Sequence, residues 1–80
     1  MKLFETPLPE IDIGLYMHYK GTMYNVLGVS CHSETYEPMV MYRALTEESI
    51  IWNRPYSMFF DMIESNGKQV RRFEKVTSNR

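Results

Sequence analysis

Four side chains that can bind a metal ion or take part in catalysis lie in the first half of the chain. They are His18, Cys31, His32 and Glu34. Imidazole, thiolate and carboxylate groups are zinc ligands, and a thiol beside an imidazole is the arrangement of an activated cysteine nucleophile. We expect the two histidines near the ends of adjacent strands, joined by a hairpin. A metal or catalytic site at His18, His32 and Glu34 is therefore one hypothesis.

The spacing of these residues argues against that site. Cys31 and His32 are neighbours in sequence, and neighbouring strand residues point to opposite faces, so they rarely ligate one ion. Structural zinc sites usually show pairs such as Cys-x-x-Cys. The sequence also has no Gly-rich phosphate loop, nucleophile elbow or His-Glu-x-x-His motif. We therefore predict a protein that is not an enzyme and has no metal or cofactor, with its histidines bonded to a loop carbonyl or to Glu34.

Two arginines within apolar segments indicate a binding surface instead. If strict alternation places Arg43 and Arg54 outward, they form one surface with Trp52 and the loop that begins at His32. Arginine beside an exposed aromatic ring is a common way to hold single-stranded nucleic acid or an acidic peptide. The opposing expectation is that Trp52, the single tryptophan, lies in the core, with Arg54 paired to a carboxylate. The predicted ligand-binding residues are His18, His32, Glu34, Thr35, Tyr42, Arg43, Trp52 and Arg54.

The charge balance favours one class of ligand over the other. Nine Lys and Arg residues against ten Asp and Glu residues give a net charge of -1. A general polyanion binder is usually basic, so we expect a protein or peptide ligand, and only weak, salt-sensitive binding of single-stranded nucleic acid. The alternative is a self-associating structural subunit, since the chain has seven methionines and methionine is common at adaptable interfaces. We expect a monomer or a homodimer.

Short strands separated by turns must position these residues. Strands are predicted at 15–19, 23–32, 39–45, 50–54, 59–65 and 68–76. Gly28 lies where the apolar phase of the second strand shifts, which predicts a bulge. Asn66-Gly67 predicts a two-residue hairpin turn. Pro55 ends the fourth strand, and one helical turn can follow near Pro55–Met58; a longer helix from Ser57 to Glu64 is the competing interpretation.

This pattern predicts an all-β fold, a small barrel of five or six antiparallel strands. The 80 residues allow one domain, which we place at 14–76, after an extended lead-in at 1–13 and before a polar tail at 77–80. No secretory signal or membrane span is evident, and the single cysteine cannot form a disulfide within the chain. We therefore expect a cytoplasmic protein that does not associate with membranes.

Several segments together resemble a family of small bacterial domains known as domain of unknown function 1653. They are 14–21, His32-Ser33-Glu34-Thr35, Tyr42-Arg43-Ala44-Leu45, Trp52-Asn53-Arg54-Pro55 with Met58-Phe59, Gly67-Lys68 and Arg72-Phe73-Glu74. The resemblance covers residues 14 to about 76. It implies an SH3-like small barrel and brings no established activity. The chain departs from the family pattern at Met17 and Cys31, where basic residues are expected, and at Asn53, where an aliphatic residue is usual.

Overall fold

Residues 8–76 fold into seven antiparallel strands and one short helix. The structure, a computed structural model, describes residues 8–76, so the first part of the lead-in and the predicted tail lie outside the described residues. The elements are β1 (Gly14–His18), β2 (Met23–Cys31), β3 (Pro38–Ala44), β4 (Glu47–Pro55), α1 (Tyr56–Phe59), β5 (Met62–Ser65), β6 (Lys68–Arg71) and β7 (Phe73–Lys75). The all-β prediction is confirmed.

Five strands form one sheet in the order β4-β3-β2-β1-β7, and β5 pairs only with β6. Within residues 8–76 no ladder joins the edge strands β4 and β7, so the predicted closure into a barrel is wrong. The predicted last strand is also divided, because the chain bends at Arg72. The Arg72 N–H donates to the Asp61 carbonyl at 3.1 Å, and the Arg72 carbonyl accepts from the Tyr19 N–H at 3.0 Å. These bonds turn the backbone at Arg72, so β6 and β7 do not form one continuous strand.

The predicted bulge in β2 is confirmed. The pairing of β2 with β3 shifts register between Val26, which opposes Tyr42, and Gly28. Gly28 has a φ of 156°, which the absence of a Cβ permits. Beyond the shift Val29 opposes Val40. The bulge therefore returns the apolar side chains of both halves of β2 to the same face of the sheet.

Two other local predictions are also confirmed. Asn66 and Gly67 join β5 to β6 with φ angles of 54° and 78°, as a type I′ turn requires. The helix α1 begins directly after Pro55 and ends at Phe59, so the single turn is present and the longer helix to Glu64 is not. Met62–Ser65 is extended and forms β5.

The core is a cluster of aromatic rings with two valines. Its buried members are Tyr16, Val26, Val40, Tyr42, Phe59 and Phe73. Phe59, from α1, stacks on Phe73 with ring centroids 4.1 Å apart and planes at 7°. The helix thus places one ring inside the curl of the sheet, where it fills the space between β1, β3 and β7. We call the sheet face that carries these residues the inner face and the opposite one the outer face.

Trp52 is not part of this core. It is 50% exposed, so the expectation that the single tryptophan lies in the core is wrong. Met39 is buried, whereas Met17, Met58 and Met62 are exposed. Among the described residues, no helix is long and apolar enough to cross a membrane.

Candidate functional site

The structure divides the eight predicted ligand-binding residues among three places. His18, Tyr42, Trp52 and Arg54 lie together on the inner face, and we call them the Arg54 cluster. A second group lies in the loop between β2 and β3, and it consists of His32, Glu34 and Thr35. Arg43 lies on the outer face.

The single surface predicted for Arg43, Trp52 and Arg54 is wrong. Trp52 opposes Tyr42, and Arg54 opposes Val40. Residues directly opposite in an antiparallel pair share a face, so Trp52 and Arg54 lie on the side of the buried Tyr42 and Val40. Arg43 follows Tyr42 and therefore points the other way, where its Nη1 donates to the Glu48 carbonyl at 3.4 Å. Alternation relates residues of one strand, but only the register relates one strand to the next.

The expected proximity of the two histidines is also wrong. The His18 N–H donates to the Thr22 carbonyl at 2.9 Å, which places His18 at the start of β2, whereas His32 follows the other end of that strand. The nine residues of β2 lie between them, which corresponds to roughly 25–30 Å of strand. Among residues 8–76 no group of three metal-binding side chains is found.

Each histidine instead caps a turn with its Nδ1 atom. The Lys20 N–H donates to Nδ1 of His18 at 3.2 Å. The N–H groups of Glu34 and Thr35 donate to Nδ1 of His32 at 3.1 and 3.2 Å. Nδ1 of each ring is therefore an acceptor for backbone N–H groups, and within residues 8–76 neither ring donates to a loop carbonyl or to the Glu34 side chain. The role of His32 is to order its loop, and only His18 belongs to the inner-face cluster.

The Arg54 cluster is built on an aromatic base. Nε of Arg54 donates to the Tyr42 hydroxyl at 3.4 Å, and its guanidinium carbon lies 6.0 Å from the centroid of the Phe73 ring. The His18 ring meets Phe73 edge to face at 4.9 Å. Tyr24 packs against Phe73 and Tyr42, with centroids 5.6 and 5.2 Å away. The guanidinium is thus held over a π face, a favourable position for a cation.

Arg54 also links the two edges of the open sheet through its side chain. It belongs to the edge strand β4, and Phe73 belongs to the other edge strand, β7. The twist of the sheet brings these edges towards each other. Side-chain contact across the gap takes the place of backbone pairing, and it leaves the cluster at the surface, beside the half-exposed Trp52.

The electrostatics of the cluster favour an anion. Burial lowers the pKa of His18, and the charges of Arg54, Arg72 and Lys20 lower it further, which favours the neutral form of the ring. Arg72 is compensated, because its Nε and Nη2 donate to the Asp61 carboxylate at 2.8 and 3.3 Å. This pair holds the pKa of Asp61 below its usual value. Within residues 8–76 it is the one salt bridge, so Arg54 has no carboxylate partner there.

A groove of about 280 Å³ adjoins the cluster at His18. It separates the end of β1 from the β5–β6 hairpin, and its lining includes Met17, Tyr19, Val70 and Arg71. An extended ligand that contacts Arg54 and His18 could continue into this groove. The cluster combines an arginine, an imidazole and exposed aromatic surface, and these groups can bind an anionic ligand.

Two residues of the site were not predicted. They are Tyr24 and Phe73, which form the aromatic base. In the sequence, the segment Arg72-Phe73-Glu74 is indicated only by its resemblance to the family pattern. No spacing within the sequence relates it to Arg54, because the two come together only when β4 and β7 approach.

Comparison with known proteins agrees with this fold. A family model described as protein of unknown function, DUF1653, matches residues 14–75. The crystal structure of a DUF1653 protein from Bordetella bronchiseptica is similar, with a TM-score of 0.75 and 28% sequence identity, covering 82% of this chain and 87% of that chain. No curated protein matches the chain. The family model spans most of the 80 residues and confirms the resemblance found in the sequence. This chain therefore belongs to the DUF1653 family, proteins of unknown function.

Proposed function

We propose that this protein is a non-catalytic binding module, and that the Arg54 cluster binds an acidic segment of a partner protein. The observation that carries the proposal is the environment of Arg54. Its guanidinium is held by the Tyr42 hydroxyl and the Phe73 ring, and no carboxylate within residues 8–76 pairs with it. An arginine that is positioned by these contacts, lies beside an exposed indole and forms no salt bridge within residues 8–76 is suited to a ligand carboxylate, because little side-chain entropy is lost on binding.

The charge distribution supports a protein ligand over nucleic acid. The net charge of the chain is -1, and nucleic-acid binding is strengthened by a broad basic surface. The positive charge at the cluster is local, since Asp61 compensates Arg72. One arginine without a salt bridge in the described part of the chain suits a single ligand carboxylate better than a run of phosphates. The cytoplasmic location and the absence of a catalytic role are part of this proposal.

An NMR titration of the 15N-labelled full chain tests the proposal. The probes are a peptide rich in Asp, Glu and Pro, the same peptide with Asn and Gln in place of the acids, and a random single-stranded oligonucleotide. We expect the acidic peptide to shift the Trp52 indole N–H and the backbone amides near His18 and Arg54, and the neutral peptide to bind at least about tenfold more weakly.

Two variants distinguish the cluster from general charge attraction. Arg54→Ala should abolish the shifts, whereas Arg43→Ala, which removes an arginine from the outer face, should leave them unchanged. Equal loss in both variants would contradict the assigned face. Shifts at the cluster with the oligonucleotide alone would replace the protein ligand with nucleic acid, and no shifts with any probe would overturn the proposal.

A further inference from the structure

A second surface lies on the outer face of the sheet, away from the Arg54 cluster. Ile13, Leu15 and Met17 occupy alternate positions at the start of the domain and are 65%, 38% and 44% exposed. Tyr16, between the last two, is buried on the inner face. Exposed apolar side chains at successive alternate positions form a continuous strip rather than scattered contacts.

The strand register extends this strip across the sheet. Leu15 opposes Asn25, which opposes Arg43 on β3. Met17 opposes Met23 on one side and Glu74 of β7 on the other. The outer patch therefore has an apolar centre, with an arginine at one side and a glutamate at the other, and consists of Leu15, Met17, Met23, Asn25, Arg43 and Glu74.

We propose that the outer patch binds the same patch of a second copy of this chain. Arg43 and Glu74 lie three strands apart and about two residues apart along the strands, hence roughly 16 Å from each other. Neither forms a salt bridge within residues 8–76. Consider a two-fold axis that lies in the plane of the contact, passes through the centre of the patch and is perpendicular to the line from Arg43 to Glu74. This axis places each Arg43 against Glu74 of the other copy. The patch is thus complementary to itself in charge and apolar surface.

The edges of the sheet are less suited to self-association than this face. In β4, residues 48–51 lie opposite the single residue Arg43, because Ala44 opposes Glu47 while Tyr42 opposes Trp52. Such a bulge interrupts the regular row of backbone donors and acceptors that another strand would need. The other edge strand, β7, has only three residues. Association through the outer face leaves both edges free.

A dimer of this kind would carry two Arg54 clusters on its outward surfaces. The clusters lie on the inner face, and the proposed contact uses the outer face of each copy. The proposed contact does not involve the Arg54 cluster itself, but Met17 and Glu74 of the outer patch also line the groove beside His18. A partner with two acidic segments would then bind more tightly than one with a single segment, through effective concentration.

Sedimentation of the full chain over a wide concentration range tests the inference through two charge reversals. In a dimer of Arg43→Glu, both introduced carboxylates face Glu74 of the other copy. In a dimer of Glu74→Lys, both introduced ammonium groups face Arg43. Two exposed pairs change from attraction to repulsion, so each variant should dimerise about tenfold more weakly than the unchanged protein.

An equimolar mixture of the two variants should recover the affinity of the unchanged protein, because in the mixed dimer both pairs are again opposite in charge. Met17→Gln, which removes apolar surface without adding charge, should also weaken the dimer. Mixing it with a charge variant should not recover the affinity. Amide NMR spectra of each variant establish that it is folded. A protein that stays monomeric at millimolar concentration, a dimer insensitive to these changes, or a mixture that fails to recover affinity would overturn the proposal.

Discussion

Removing the Phe59 ring is expected to lower the free energy of unfolding of the domain substantially. The side chain is fully buried, stacks on Phe73 at 4.1 Å, and meets the rings of Tyr16 and Tyr42 at 5.5 Å. The short helix α1 has no side-chain cap and is too short to be stable alone. Its position therefore depends on this ring, and the ring supports the aromatic base beneath Arg54.

The magnitude follows from the burial. Phe59→Ala should cost about 3–5 kcal/mol, from lost apolar transfer and the cavity that remains. An 80-residue domain has a total unfolding free energy of about 4–12 kcal/mol. The variant should thus lose about a quarter or more of its stability, and its Tm should fall by about 12–40 °C. Binding at the Arg54 cluster should weaken as well, since Phe73 and Tyr42 lose the ring that packs behind them.

Urea denaturation followed by tryptophan fluorescence and circular dichroism measures this loss. Met58→Ala is the matched control, because Met58 precedes Phe59 in the same helix and is 45% exposed. The control should cost less than about 1 kcal/mol. If Phe59→Ala costs under about 1.5 kcal/mol, or no more than the control, the ring is not the centre of the core and this explanation of α1 is refuted.

Three other predictions concern the turn and the titrating groups. Gly67→Ala should destabilise the protein by about 1–2 kcal/mol in urea denaturation. The cause is the positive φ of 78° alone, since a new Cβ would have no atom within 4 Å. Unchanged stability would contradict a type I′ turn. The Asp61–Arg72 pair, which lowers the pKa of Asp61, should stabilise the β5–β6 hairpin above the unfolded-state pKa of about 4 and lose that effect as the pH falls through the lower folded-state value. Amide exchange of the hairpin checks this, and it should show no such pH dependence in Asp61→Asn. Because folding lowers the pKa of His18, the contribution of this residue to stability should be fully present above the unfolded-state pKa of about 6.5. It should decrease as the pH falls below 6.5 and become constant below the folded-state pKa. In urea denaturation at several pH values, His18→Gln should remove this part of the pH dependence of stability.

Local features of the fold were predictable because each depends on a few neighbouring residues. Asn66-Gly67 suits a turn with two positive φ angles, Gly28 lies at the phase shift of β2, and Pro55 precedes the single turn of α1. In each case the backbone preference of the residue itself is the physical cause. The bend at Arg72 was not predicted, since its causes are bonds to Asp61 and Tyr19, which are distant along the chain.

The binding site, too, was predictable in its residue types but not in which residues meet. The residue types were recognisable in the sequence, and four of the eight predicted residues, His18, Tyr42, Trp52 and Arg54, do lie together. Which residues meet was decided by the tertiary structure, because the register of β3 with β4 places Arg54 inward and Arg43 outward. The approach of the two sheet edges then brings Arg54 to Phe73. Alternation along a strand is a property of the chain alone, whereas the choice of buried face and the contacts between distant strands arise only when the core packs.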